Sequence, residues 1–364
     1  MTTIHKIPQM EPWFGFEEQK ALHDYMGQGG WVTEFKKTKE FELELANYIG
    51  VKHCIAVNNG TISLTLAAMG CEIQSGDEVI IPNYTMIATP NSVKMFGANP
   101  VFVDVEVGTL NLDIELVEKA ITPQTKAVIL VNANGRGPLP SVDAFKNLCD
   151  KYSLVLIEDS AQALGSFYSD GRHMGTVGKV GSFSFSAPKI ISTGQGGALV
   201  TNCDDMAAKL RKLKDFGRSS GGNDIHDSIG FNFKFTDIQA VIGIEQMKKL
   251  EWRIGRKKEI LKKYQEKLRD VAEVRFFEQD LSRTAPWFID VLVENRCSLM
   301  NYLKENGIGT RLMYSPINEQ KAYDIPGEYP VSKLVGQKGL WLPSSSQLTN
   351  DEIDYICNSI ISFY

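Results

Sequence analysis

The chain has 364 residues, of which 43% are hydrophobic and 23% charged, with a formal net charge of -5. That length supports a large unit with a smaller one beside it, and the acidic balance excludes a general nucleic-acid binder, whose footprint is basic. The 6 cysteines include no C-x-x-C pair, which argues against a zinc or other metal site and a disulfide framework and for a reducing, cytoplasmic compartment; no apolar run reaches membrane-span length, so no membrane partner is expected.

Seven short apolar runs follow one another from the N-terminal side: "HCIAVN", "DEVIIP", "NPVFVDV", "KAVILVN", "SLVLIED", "SFSFS" and "GALVTN". Between several of them lie stretches of helical spacing, "TISLTLAAMG", "SVDAFKNLCDKY" and "DDMAAKLRKLKDFG", the last with Asp204 as its expected cap and Gly217 beyond its end. Strands alternating with helices predict an α/β fold with a largely parallel sheet covered on both faces. A helical pattern then runs from about Thr236 to Leu268 as one long connecting helix, and its Lys/Arg concentration at residues 248 to 258 reads as a solvated face. Beyond it, "VRFFEQ", "WFIDVLVEN" and "CSLMNYLKENGIG" predict a smaller α+β unit, giving a division into residues 1–250 and 251–364.

In such sheets ligands gather outside the carboxyl ends of the strands. After "HCIAV", Gly60 and Thr61 open a helix whose free N–H groups could hold a phosphate, although in isolation plain capping is the favoured reading. After "SLVLI" come Glu158, Asp159 and Gln162, where acids also serve as caps. After "SFSFS" comes Lys189, with no charged neighbour in sequence closer than Lys179 or Asp204 and with Gly194, Gly196 and Gly197 just beyond it. A lysine without local carboxylates suits a neutral nucleophile, and glycines there permit close backbone approach. Phosphate cradle, acid and lysine together match pyridoxal 5'-phosphate (PLP), which needs donors for its phosphate, a carboxylate for its ring nitrogen and a lysine for a Schiff base.

The ordered motifs "GT", "EDSAQA", "SFSFSAPK", "TGQGGALVTN" and "GFNFKFTDIQAVIG" resemble those of the DegT-type nucleotide-sugar aminotransferases, a branch of the aspartate-aminotransferase-like PLP fold type I, over nearly the whole chain. The resemblance implies a large domain with a mostly parallel mixed sheet flanked by helices and a small C-terminal α+β domain. It implies that Lys189 binds the cofactor covalently and shuttles a proton, that Asp159 pairs with the pyridine nitrogen, and that Gln162 contacts the ring hydroxyl or the phosphate. Gly60, Thr61 and Ser184 become phosphate donors, and Asn232 is the residue that crosses to the neighbouring subunit's phosphate site, which requires a homodimer. The implied substrates are L-glutamate and a nucleotide-linked keto-deoxy sugar, with pyridoxamine 5'-phosphate formed between the two half-reactions and a product class that feeds lipopolysaccharide O-antigen. A PLP sugar dehydratase of the same family would carry histidine in place of Lys189, and a noncatalytic protein of this fold would not need Lys189, Asp159 and Ser184 together.

The sequence departs from the family pattern at three places. "PNYTMIAT" puts Met86 where an aromatic residue stacks on the pyridine ring, with Tyr84 as the alternative. Gln195 replaces the usual glutamate of "TGEGG", and "NANGRGP" replaces "HLYG". Arg136 of that segment reads either as an exposed turn residue or as a substrate contact, and Tyr314 is a second substrate-side candidate. His173 in "SDGRHMGTVG" reads as an exposed loop residue, and His226 as part of a loop near the site.

Overall fold

The computed structural model describes residues 6–219 and 224–364. Seven strands form the large sheet: β1 (His53–Val57), β2 (Glu78–Pro82), β3 (Asn99–Val103), β4 (Thr125–Val131), β5 (Val155–Asp159), β6 (Val180–Ser184) and β7 (Gly197–Thr201). Their spatial order is β1-β7-β6-β5-β4-β2-β3, and β7 alone runs against its neighbours. Both faces are buried, which is why the strands read as continuous apolar runs. In β1, Ile55 and Val57 join one core while Cys54 and Ala56 join the opposite one; β4 alternates in the same way, with Ala127 and Ile129 on one side and Val128 and Leu130 on the other.

A second sheet of four antiparallel strands contains β8 (Val274–Phe276), β9 (Ile289–Val293), β10 (Arg311–Leu312) and β11 (Gly339–Leu342), in the order β10-β11-β9-β8. Its core takes in Ile7, from the start of the described chain, and Ile260, Leu261 and Tyr264 from the long helix. A further cluster draws on both sheets' surroundings: Tyr84, Val105 and Ala133 pack with Trp287, Phe288 and Trp341.

The segment expected as one helix is two, Asp237–Lys248 and Leu250–Leu268. The ladder is interrupted at Lys249, whose N–H turns back to the Gln246 carbonyl at 3.1 Å and whose Nζ donates to Glu17 and Glu18 at 2.9 and 2.8 Å. Nor is the basic run a solvated face throughout. Arg253 and Lys257, one turn apart, are 4% and 2% exposed. Arg253 donates to the carbonyls of Ile190 and Trp13, and Lys257 to that of Trp287. Charge in sequence could not reveal this, because the acceptors are backbone carbonyls far along the chain. Asp204, expected as a cap, instead sits in the first turn of the helix Asp204–Lys214 and bonds Lys52 and His53.

Candidate active site

β6 and β7 form an antiparallel pair, and the connection between them, residues 185–196, carries Lys189. The connection is closed at its base: Phe185 N–H donates to Gly196 O at 2.8 Å, and Thr193 N–H to Phe185 O at 3.0 Å. Phe185 is buried against Phe41, which stacks on Phe235. The glycines are required by proximity. A Cβ at Gly196 would lie 2.5 Å from Thr193 Oγ1, and one at Gly197 would lie 2.6 Å from the Asn59 carbonyl oxygen.

Lys189 Nζ lies 4.1 Å from the centre of the Trp287 ring, and among the described residues it has no hydrogen-bond acceptor. Burial holds its ammonium down at about 8; the Asp159 charge opposes that shift and the Arg311 guanidinium adds to it. Trp287 in turn donates Nε1–H to the carbonyl of Pro188 at 2.8 Å.

Asp159 ends β5 and is 5% exposed. It accepts from Thr89 Oγ1 at 2.8 Å and from Ala161 N–H at 3.2 Å. Burial pushes its carboxyl up, and Thr89, Ala161 and the Lys189 charge pull it back. Its neighbour Glu158 points to the other face of the sheet, as strand alternation demands. There it takes Tyr168 Oη–H at 2.6 Å and the N–H groups of Gly175, Val177 and Gly178 at 2.8, 2.7 and 2.6 Å, so this second strand-end acid is a structural anchor.

Gly60 begins the helix Gly60–Gly70, capped by Asn59, whose side chain takes Ile62 N–H at 2.9 Å and whose carbonyl takes Ser63 N–H at 3.0 Å. The N–H groups of Gly60 and Thr61 have no intrahelical partner and stand at the positive end of the helix. A Cβ on Gly60 would come within 2.8 Å of Ser184 Cβ, so helix start and strand end meet there. One small cavity is lined by Ala161, Gln162, Ser184, Lys189 and Trp287; Gln162 is oriented by Asn134 N–H, which donates to its Oε1 at 2.8 Å. Gly60, Asp159, Gln162, Ser184 and Lys189 thus converge on one place.

The other candidates do not line that cavity. Met86 is 46% exposed, and its sulfur takes Ala88 N–H; Tyr84 is buried against Tyr314, with ring centres 5.8 Å apart. Asn232 is exposed, on a segment that pairs with Asp215 and whose next residues run beside the end of β1. His226 is exposed and faces the Phe216 carbonyl. Tyr314 packs edge-on against Trp341 at 4.8 Å; burial raises its hydroxyl, Arg311 lowers it, and the Asp159 charge, within electrostatic reach, raises it again.

Arg136 corrects both of its readings. It is 3% exposed, and its guanidinium grips Asp290 through Nη1 at 3.1 Å and Nη2 at 2.7 Å, with Nε on the Thr109 carbonyl at 3.0 Å. Neither an exposed turn nor a free substrate contact is left. Asn134, in left-handed backbone at φ 53°, bonds Phe288 and Asp290, so "NANGR" is a clasp onto β9. His173 is likewise 2% exposed rather than on the surface: Nε2 accepts from Gly165 N–H at 2.9 Å, Nδ1 faces Met174 O at 2.6 Å, and burial lowers it to about 4.

Three residues near the chemistry were not singled out from sequence: Thr89, Trp287 and Arg311. Thr89 lies three residues past Met86 and carries no distinguishing pattern. Arg311 sits on β10 opposite Trp341, over whose ring its guanidinium lies at 5.4 Å, and among the described residues it has no carboxylate partner.

A lysine without an acceptor, a buried acid within its electrostatic reach and a glycine at a helix start are thus gathered in one place, and the model of one family, the DegT/DnrJ/EryC1/StrS aminotransferase family, matches residues 15–361. The chain belongs to this family. It is 32% identical to GDP-perosamine synthase of Vibrio cholerae over 98% of this chain and 99% of that protein, and 36% identical to GDP-perosamine synthase of Caulobacter vibrioides over 87% of each. Among solved structures it is similar to the PLP form of Spr1654 of Streptococcus pneumoniae, at 27% identity, 98% coverage of each chain and a TM-score of 0.91. As a sugar aminotransferase of the DegT family the chain uses PLP. The residues present fit that cofactor. The space beside Ser184 would be filled by any side chain at Gly60, Asp159 is a buried carboxylate with no cation bonded to it, and Lys189 Nζ is free. Among the described residues no cluster of His, Cys, Asp or Glu is arranged to hold a metal, and no helix is long and apolar enough to cross a membrane.

Proposed function

We propose that the protein transfers an amino group from L-glutamate to a nucleotide-linked 4-keto-6-deoxyhexose, a reading supported by its likeness to proteins named GDP-perosamine synthase. The carrying observation is the unbonded Lys189 amine, held near 8 within the electrostatic reach of buried Asp159. PLP, when bound, carries the amino group between the two substrates and draws electrons from the substrate carbon. The rest is work for the chain's own side chains. Asp159 keeps the ring nitrogen protonated; Gly60 and Thr61 N–H with Ser184 hold the phosphate; Gln162 fixes the ring's polar edge. Lys189 Nζ, neutral for a large fraction of the time near pH 8, takes and returns the proton. The substrate contact expected of Arg136 passes in this reading to Arg311.

In the same reading, residues 1–250 form the large cofactor domain and 251–364 the small one. The protein is a homodimer in which Asn232, exposed on the single chain, completes the partner's phosphate site. The six free cysteines favour a cytoplasmic setting, and the product is an amino sugar of the kind built into O-antigens.

The test follows cofactor absorbance. Glutamate should convert the PLP form to the pyridoxamine form, and GDP-4-keto-6-deoxymannose, tried beside UDP- and dTDP-linked keto-sugars, should restore it. Recovery only with UDP or dTDP sugars would overturn the GDP assignment; recovery with none would overturn the substrate class.

A further inference from the structure

Trp287 is tied to Lys189 at two points. Its indole N–H donates to the carbonyl of Pro188, the residue immediately before the lysine, at 2.8 Å, and its ring face lies 4.1 Å under Nζ. The tryptophan is itself immobilised: it is 4% exposed, stacked on Phe288 at 3.9 Å and edge-on to Trp341 at 5.6 Å. Behind it, Lys257 donates to its carbonyl at 2.8 Å and also to the Ser344 carbonyl. Three segments therefore hold this residue in place: the Lys189 connection and β11, through Trp341, at its ring, and the helix Leu250–Leu268, through Lys257, at its carbonyl.

We propose that Trp287 is a positioning residue for Lys189, its N–H fixing the backbone and its π face holding the ε-amine whenever that amine is not bonded to the cofactor. The need is physical. Between half-reactions the lysine is free while Asp159 is engaged by the ring nitrogen, and a flexible four-carbon ammonium with no acceptor of its own has nothing else to fix where it rests. The indole's electron-rich face offers a site that is attractive to the cation but cannot remove its proton. The amine is kept within reach of the substrate carbon, and Asp159 is left for the ring nitrogen. This inference rests on the PLP role of Lys189.

The experiment uses the holoenzyme in its pyridoxamine form, in which Lys189 is free. An amine-reactive probe is applied across a pH series, and the labelling of the Lys189 peptide is quantified. The charged groups facing this amine, Asp159 from β5 and Arg311 from β10, stay in place in every variant, as do Lys257 and Arg253 on the helix behind. A tetrafluorotryptophan at position 287 keeps shape and N–H but weakens the π face, so the labelling midpoint should fall by about 0.5 to 1 pH relative to the unmodified protein. Trp287→Phe, which keeps a face and loses the N–H, should fall between the two. Trp287→Leu, where it folds, should fall furthest. Equal midpoints for the fluorinated and unmodified proteins, or a higher one in the fluorinated protein, would overturn the proposal. Borohydride reduction of the PLP form, with the label mapped to Lys189, is the separate check: label on another lysine sinks the PLP reading, whatever the fluorinated protein does.

Discussion

Two buried acid–base neighbourhoods lie at the carboxyl ends of adjacent strands, and they are built in opposite ways. At the end of β4, Arg136 and Asp290 form a two-point pair with the remaining donors and acceptors on Thr109 and Asn134, so that each charge is answered. At the end of β5, Asp159 is held by a hydroxyl and one N–H, and Lys189 by a ring face. The first arrangement minimises the cost of burial. The second leaves it partly uncompensated, and both shifts, the lysine downward and the acid upward, record that cost. A buried pair that is fully bonded has nothing to offer a ligand; one that is not is a site waiting for a third group.

That contrast can be broken from either side. The largest effect should come from Asp290→Ala, which strands the Arg136 charge in a buried place and should cost about 3–5 kcal/mol of stability, read as a fall in the denaturant midpoint. A loss below about 1 kcal/mol, the scale of an exposed pair, would mean that water reaches the guanidinium and the clasp is not dry. Asp159→Asn should do the reverse. Removing a carboxylate whose burial already raises its pKa should leave the melting temperature of the cofactor-free protein unchanged or higher, while single-turnover proton transfer from glutamate slows by about two decades or more. A near-native rate would exclude its role at the ring nitrogen.

The smallest effect sharpens the middle case, a titratable group satisfied only while neutral. His173 falls to about 4 in the folded protein, against an ordinary 6.5 when unfolded. The unfolded chain therefore takes up the proton first, and the histidine's contribution, complete above pH 6.5, is lost as pH falls towards 4. Between pH 7 and pH 5 it should remove about 2 kcal/mol of stability. His173→Gln should flatten that part of the stability–pH curve, and an unchanged slope would assign the acid sensitivity to other groups.

What could be read from sequence was whatever is local. Each strand of the large sheet shows as an apolar run, and a residue at a strand's carboxyl end is placed near the ligand face by topology alone; hence Gly60, Asp159 and Lys189 stand out in the order of the residues, whereas Ser184 enters only through the family resemblance. What could not be read depends on partners far along the chain. Arg136 looks like a turn residue until Asp290, 154 positions away, is brought beside it. Trp287 looks like core until its ring is seen beneath Lys189, and the basic run of the long helix looks solvated until Lys257 meets the Trp287 carbonyl. The anchoring of the Lys249 side chain is equally non-local, since it rests on Glu17 and Glu18.

The clasp also bears on inheritance. Arg136 and Asp290 lie on opposite sides of any crossover made between the two sheets, and Lys257 and Trp287 are divided by a crossover anywhere between them. A gene exchange that replaced only the residues after the helix Leu250–Leu268 would bring in a β9 chosen for a different partner, leaving a buried guanidinium unanswered and dividing Lys257 from the residue at position 287 whose carbonyl it holds. The two sheets are therefore not interchangeable: an exchange that brings in a new β9 must bring the matching end of β4 with it, and recombination should be tolerated near the ends of the chain sooner than between the sheets.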